Sequence, residues 1–187
     1  MFIFKNHKVS IITGFVLSFI LIAIAAVSGG NLPDHFDMAR WMHFMAGIVW
    51  IGLLYYFNFV QVPSFPHVSA ETKKDLFQEN GLVLRALWWF RWGAMFTLIS
   101  GLALMGAMGA SAGMDIRIGA LFGIIMWANV WFVIWPAQRK IVGVVEASAD
   151  EKASAAKRAL IASRLNVILS IPLLLFMASS AHFPIFN

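Results

Sequence analysis

The sequence predicts an all-α integral membrane protein: a five-helix transmembrane bundle with the N-terminus cytoplasmic and the C-terminus periplasmic. Three observations predict it. The chain is 60% hydrophobic and only 12% charged, with a mean hydropathy of +0.79, whereas a soluble domain is about half apolar and a quarter charged. Five apolar runs each approach the ~20 residues that a helix needs to cross a bilayer. The basic residues gather almost wholly on one side of those runs.

The first span covers about 9–28, after Lys5 and Lys8. The sequence AIAAVSGG that closes it resembles a signal-peptidase site, but the run exceeds the roughly 7–15 residues of a signal-peptide core. It is therefore expected to stay as a helix. The second span covers about 38–62, with Asp37 as N-cap and Pro63 as its stop. The polar segment SAETKKDLFQEN then reads as a short surface helix. The third span covers about 82–108. The fourth covers about 116–135, where Pro136 kinks or ends it. Before the fifth, Ser148 and Glu151 have the spacing of a capping box. That helix is expected to begin in water near Ala149, enter lipid for about 159–182, and bend at Pro172. No internal repeat or linker divides the chain, so residues 1–187 are read as a single transmembrane domain.

With the N-terminus inside, 12 of the 14 basic residues lie on the cytoplasmic side, and only Arg40 and Arg117 lie outside. Loop Lys and Arg set topology in this way. The formal charge of +5 is thereby explained by contact with membrane lipid and needs no nucleic acid. Trp88, Trp89, Trp92, Trp131 and Trp135 fall towards the cytoplasmic interface as an aromatic belt. The absence of cysteine excludes disulfides, thiolate metal sites and covalently attached c-type haem.

Within this topology His43, in RWMHFMAGIVWIG, lies in the outer half of the second helix. It is roughly 8 Å along the axis from Met38. His182 lies at the outer end of the fifth. They are the only two histidines that are both helical and level. Two imidazoles facing one another across a helix bundle are a natural axial pair for a b-type haem, which needs no cysteine. Gly47, one turn below His43, would let a flat macrocycle lie against that face. Arg40 and Arg117 are the candidate partners for its propionates. Other readings stand beside this one. A membrane histidine can simply hydrogen-bond between helices, and glycines at helical spacing serve packing. Arg40 and Arg117 can pair with Asp37 and Asp115 in a solvated rim. A copper or zinc site would need a third ligand, for which Asp34 and His35 are available. Asn58, Gln61, Thr97, Ser100, Asn129, Asn166 and Ser170 are read as interhelical glue. None of the in-span polar residues is a carboxylate, which weakens a proton-coupled transporter.

Four stretches, in order, resemble the membrane domain of the bacterial, cytochrome-c-linked urate oxidase (urate hydroxylase) family. RWMHFMAGIVWIG is similar to its opening motif and LWWFRWGAMFTLISG (87–101) to its tryptophan-rich helix. ANVWFVIWPAQRKIVG (128–143) is similar to the end of its Asn-Val helix, and SIPLLLFMASSAHFP (170–184) to its closing Pro…His-aromatic-Pro segment. His43, Asn129 and His182 match family positions. The resemblance implies a bacterial inner-membrane oxidoreductase whose electrons pass to a c-type cytochrome on the outer side. This chain departs from the pattern in having Gly93 where the family commonly has glutamate, and Leu165 where a histidine is often found. It also has no C-terminal cytochrome domain. A carboxylate is the kind of group that takes a proton from a purine, so its loss at position 93 bears on urate oxidation itself. The expectation is a short stand-alone member that binds haem b and works with a separate c-type cytochrome. The alternative is a non-catalytic structural or assembly subunit of a larger membrane complex.

Overall fold

The computed structural model describes residues 2–79 and 81–186. Every regular element among them is helical. Five helices are long and apolar enough to cross a membrane: His7–Val27, His35–His67, Leu82–Ser111, Met114–Ile141 and Ala149–His182. They match the five expected spans to within a few residues at most ends. The chain divides into two compact units, Met1–Met38 and Ala39–Asn187.

The first unit is dominated by the helix His7–Val27. Asn6 caps it, its side chain accepting from the Lys8 N–H at 3.0 Å. Its hydroxyls bond back to carbonyls one turn earlier, Thr13 to Val9 at 2.8 Å and Ser18 to Gly14 at 3.0 Å. A helix in hydrocarbon must satisfy its polar groups internally in this way. Gly29 ends the helix in the left-handed region, φ 86°, where a side chain would be strained. None of this helix's residues is buried.

The second long helix starts earlier than expected. Asp34, not Asp37, caps it: the Asp37 N–H donates to Asp34 Oδ1 at 2.8 Å, and the Asp34 N–H donates back to Asp37 Oδ2 at 3.3 Å. This is the reciprocal arrangement of a capping box with aspartate at both ends. The helix also continues past Pro63. Residues Tyr56–Gln61 form a π-helix, in which the Val62 N–H reaches Phe57 O five residues back. The fourth long helix repeats the device. Asn129–Ile134 is π-helical, the Trp135 N–H reaches Val130 O, and the helix runs through Pro136 to Ile141. Proline normally breaks a helix because it lacks an N–H and its ring strikes the carbonyl four residues back. The wider π-turn just before each proline loosens that contact, so neither proline is a stop. The expected surface helix is present as Ala70–Phe77, capped by Ser69. The fifth helix is a single element of 34 residues that is continuous through Pro172. Its Ser148–Glu151 capping box is formed, at 3.2 and 2.9 Å.

The core of the second unit is built around Trp50, Leu54, Phe57, Leu87, Phe90, Met126 and Val130. The Phe57 and Phe90 rings meet edge to face at 5.4 Å, the arrangement that the ring quadrupole favours. Burial in the second long helix begins only at Trp50, so the turns around His43 lie outside this core. Arg91 stacks its guanidinium 3.6 Å from the Trp135 ring centroid, a cation–π contact that compensates a charge placed among indoles.

Candidate functional site

His43 is gripped by the third long helix. Its Nδ1 lies 3.0 Å from the Thr97 carbonyl oxygen and 3.2 Å from Ser100 Oγ. A carbonyl only accepts, so Nδ1 carries the hydrogen and donates. Ser100 turns its own hydroxyl hydrogen towards the Phe96 carbonyl, 2.6 Å away, and so can accept from the same ring nitrogen. In the neutral imidazole this leaves Nε2 with the lone pair. The ring is therefore tied to the third helix on its Nδ1 side. The holding group is a backbone carbonyl of the third helix, and such a group has no side-chain signature to read.

The close approach that permits this contact is made by glycines. A Cβ at Gly101 would lie 3.1 Å from His43 Cε1, and one at Gly93 would lie 3.2 Å from Trp50 N and 3.3 Å from Val49 Cγ1. Thr97, midway between them, turns its hydroxyl back onto Gly93 O at 2.8 Å. Gly93, Thr97 and Gly101 thus form a stripe of small residues at four-residue spacing, and this stripe was the available sequence signal for the contact. It also accounts for Gly93 physically, because the space a glutamate side chain would need there is filled by the backbone at Trp50. Gly47 presents its bare face to Thr97, where a Cβ would be 4.0 Å from Thr97 Cγ2.

At the start of the fourth helix, Asp115 departs from the solvated-rim reading. It is 3% exposed and accepts three hydrogen bonds. Oδ2 takes the Ser179 hydroxyl at 2.7 Å and the Ile185 N–H at 2.8 Å, while Oδ1 takes the Phe186 N–H at 3.0 Å. The fourth span thus begins with a buried carboxylate that the sequence reading had placed in water. Arg117 does not pair with it. Its Nε donates instead to the Ala112 carbonyl at 2.9 Å, and the residue is exposed. Arg40 is exposed at the start of the second long helix, and His182 is exposed as the last residue of the fifth. Lys140 and Glu151 form an ion pair at 3.2 Å. Among the described residues, no three His, Cys, Asp or Glu side chains gather as a metal-ion site.

Several of the polar residues read as glue are bonded as glue. Asn58 Nδ2 donates to Leu54 O at 2.8 Å and to Ser163 Oγ at 2.7 Å. Asn129 Nδ2 donates to Asn166 Oδ1 at 2.9 Å, and Asn166 Nδ2 donates to Met126 O at 3.0 Å. The Tyr55 and Ser170 hydroxyls pair at 2.9 Å. Thr97 and Ser100 serve His43 instead.

Residues 107–187 match the family model described as urate oxidase N-terminal. The match covers less than half of the chain. The matched segment contains Asp115, Arg117, Asn129 and His182, together with the motifs at 128–143 and 170–184. His43 and the stretches at 40–52 and 87–101 precede it. No curated protein matches the chain, and no solved structure does.

Proposed function

We propose that this protein is an inner-membrane redox protein that holds a b-type haem between His43 and His182 near the outer face and passes electrons to a separate c-type cytochrome. One observation carries the reading. His43 donates Nδ1–H to a backbone carbonyl and keeps the Nε2 lone pair, the state in which a histidine binds a metal with its other nitrogen tied down.

Two imidazoles are a donor set that a b-type haem takes. His43 supplies an oriented imidazole on the second helix, and His182 supplies a second on the fifth. When bound, the haem contributes a one-electron iron couple tuned by its axial ligands and their hydrogen bonds. The Thr97 carbonyl makes the His43 ring a stronger donor and fixes its plane. Arg117, with Nε anchored to Ala112 O, keeps its terminal N–H groups for a carboxylate at the rim, and Arg40 is the other guanidinium that this reading assigns to a propionate. With glycine at position 93 against the Trp50 backbone, no carboxylate stands there to take a proton from a purine. These residues therefore support the electron-transfer part of urate oxidase chemistry better than its proton abstraction.

The test is a dithionite-reduced minus oxidised visible spectrum of the purified protein, followed by pyridine haemochromogen analysis. The expected result is a b-type signal near one haem per chain that is lost in His43→Ala and in His182→Ala. A signal that survives the double substitution overturns the assignment. A colourless protein that copurifies with stoichiometric partners would favour the assembly-subunit reading.

A further inference from the structure

We propose that Asp115 is the positioning residue for His182; this rests on the haem reading above. His182 is the last helical residue, at a place where a chain end ordinarily frays. Here it is bracketed. A single carboxylate oxygen, Asp115 Oδ2, accepts from Ser179 three residues before it and from Ile185 three residues after it, while Oδ1 takes Phe186. The segment that carries the imidazole is therefore a short loop closed on one buried carboxylate. A second, apolar contact closes the same loop, because the Phe176 and Phe186 rings stack at 6.1 Å and 18°. Asp115 is itself placed by its position in the first turn of the fourth helix, where the helix dipole favours a negative charge. An axial ligand must be held to within about half an ångström. His43 meets that need through Thr97, and His182 meets it through Asp115.

The chain contains no cysteine, so His182→Cys gives a single attachment point for a nitroxide label. In the full-length protein with Asp115 intact, the label should give an immobilised spectrum. With Asp115→Asn, the amide N–H group meets one of the two backbone N–H donors in either orientation, and the spectrum should shift to the mobile form. In chains that retain His182, Asp115→Asn should weaken haem binding by roughly 10- to 100-fold, as loss of a group orienting a ligand does, and should alter the low-spin resonance of the haem. Ser179→Ala, which keeps the two backbone donors, should fall between and guards against Asp115→Asn failing to fold. An unchanged label spectrum in both variants overturns the proposal. So does a mobile label with an unaltered haem signature, which would make the clasp structural only. If the unsubstituted protein is colourless, the haem reading fails by itself. Asp115 as positioner of a haem ligand then falls with it, whatever the label shows.

Discussion

At the scale of single residues, the molecule turns on what its glycines and its one buried carboxylate touch. Gly93 faces backbone and Gly101 faces a side chain, and this difference separates two expected outcomes. Gly93→Ala presses a methyl against Trp50 N, which cannot yield. The overpacking cost of about 1–3 kcal/mol should outweigh the roughly 1 kcal/mol that replacing glycine returns to a helix, so the unfolding midpoint in detergent should fall. Gly101→Ala presses against the His43 ring tip instead. It should displace the imidazole and reduce haem stoichiometry, with little change in that midpoint. Equal effects of the two on stability would contradict the assignment of their neighbours. That His43 and His182 are helical was legible from the apolar runs that hold them. Their supports were not: one is a main-chain carbonyl, and the other is an aspartate 67 residues away in the chain whose burial depends on the end of another helix.

At the scale of elements, the spans were legible because length and hydropathy alone decide them. The Ser148–Glu151 box was legible because its two members are neighbours in sequence. The prolines misled. Pro63 was read as a stop and Pro136 as a kink or stop, yet both helices run on, since a π-turn upstream leaves no local mark distinguishable from any apolar run. The amide ladder is the element-scale feature most open to test. Asn166 is fully buried and bonds both Asn129 and Met126 O. Asn166→Leu strands a donor and an acceptor and should cost about 1–3 kcal/mol, read as a lower thermal midpoint. Adding Asn129→Leu should recover part of that loss, because both partners are then apolar. A strictly additive double variant would mean that the pair is not coupled.

At the scale of the whole molecule, orientation rests on the basic residues and carries its own prediction. Ser69, before the third helix, and Ser111, its last residue, are both exposed. In spheroplasts, Ser111→Cys should react with a membrane-impermeant maleimide, and Ser69→Cys should react only after permeabilisation. The converse pattern would invert the topology and put His43 and His182 on the cytoplasmic side, away from an external cytochrome.

The π-turns have one more consequence. Such a turn is an α-helical turn with a surplus residue, so it behaves as a stored shift of register. Removing one residue between 129 and 134 would leave the flanking turns facing as they do, whereas regularising the turn with every residue kept would rotate everything beyond it by about 100°. Trp135 would then swing off the guanidinium of Arg91, while Asp115, upstream in the same helix, would keep its hold on the chain end. The fourth helix is in that sense two rods with separate duties, coupled through a joint that a single codon could straighten.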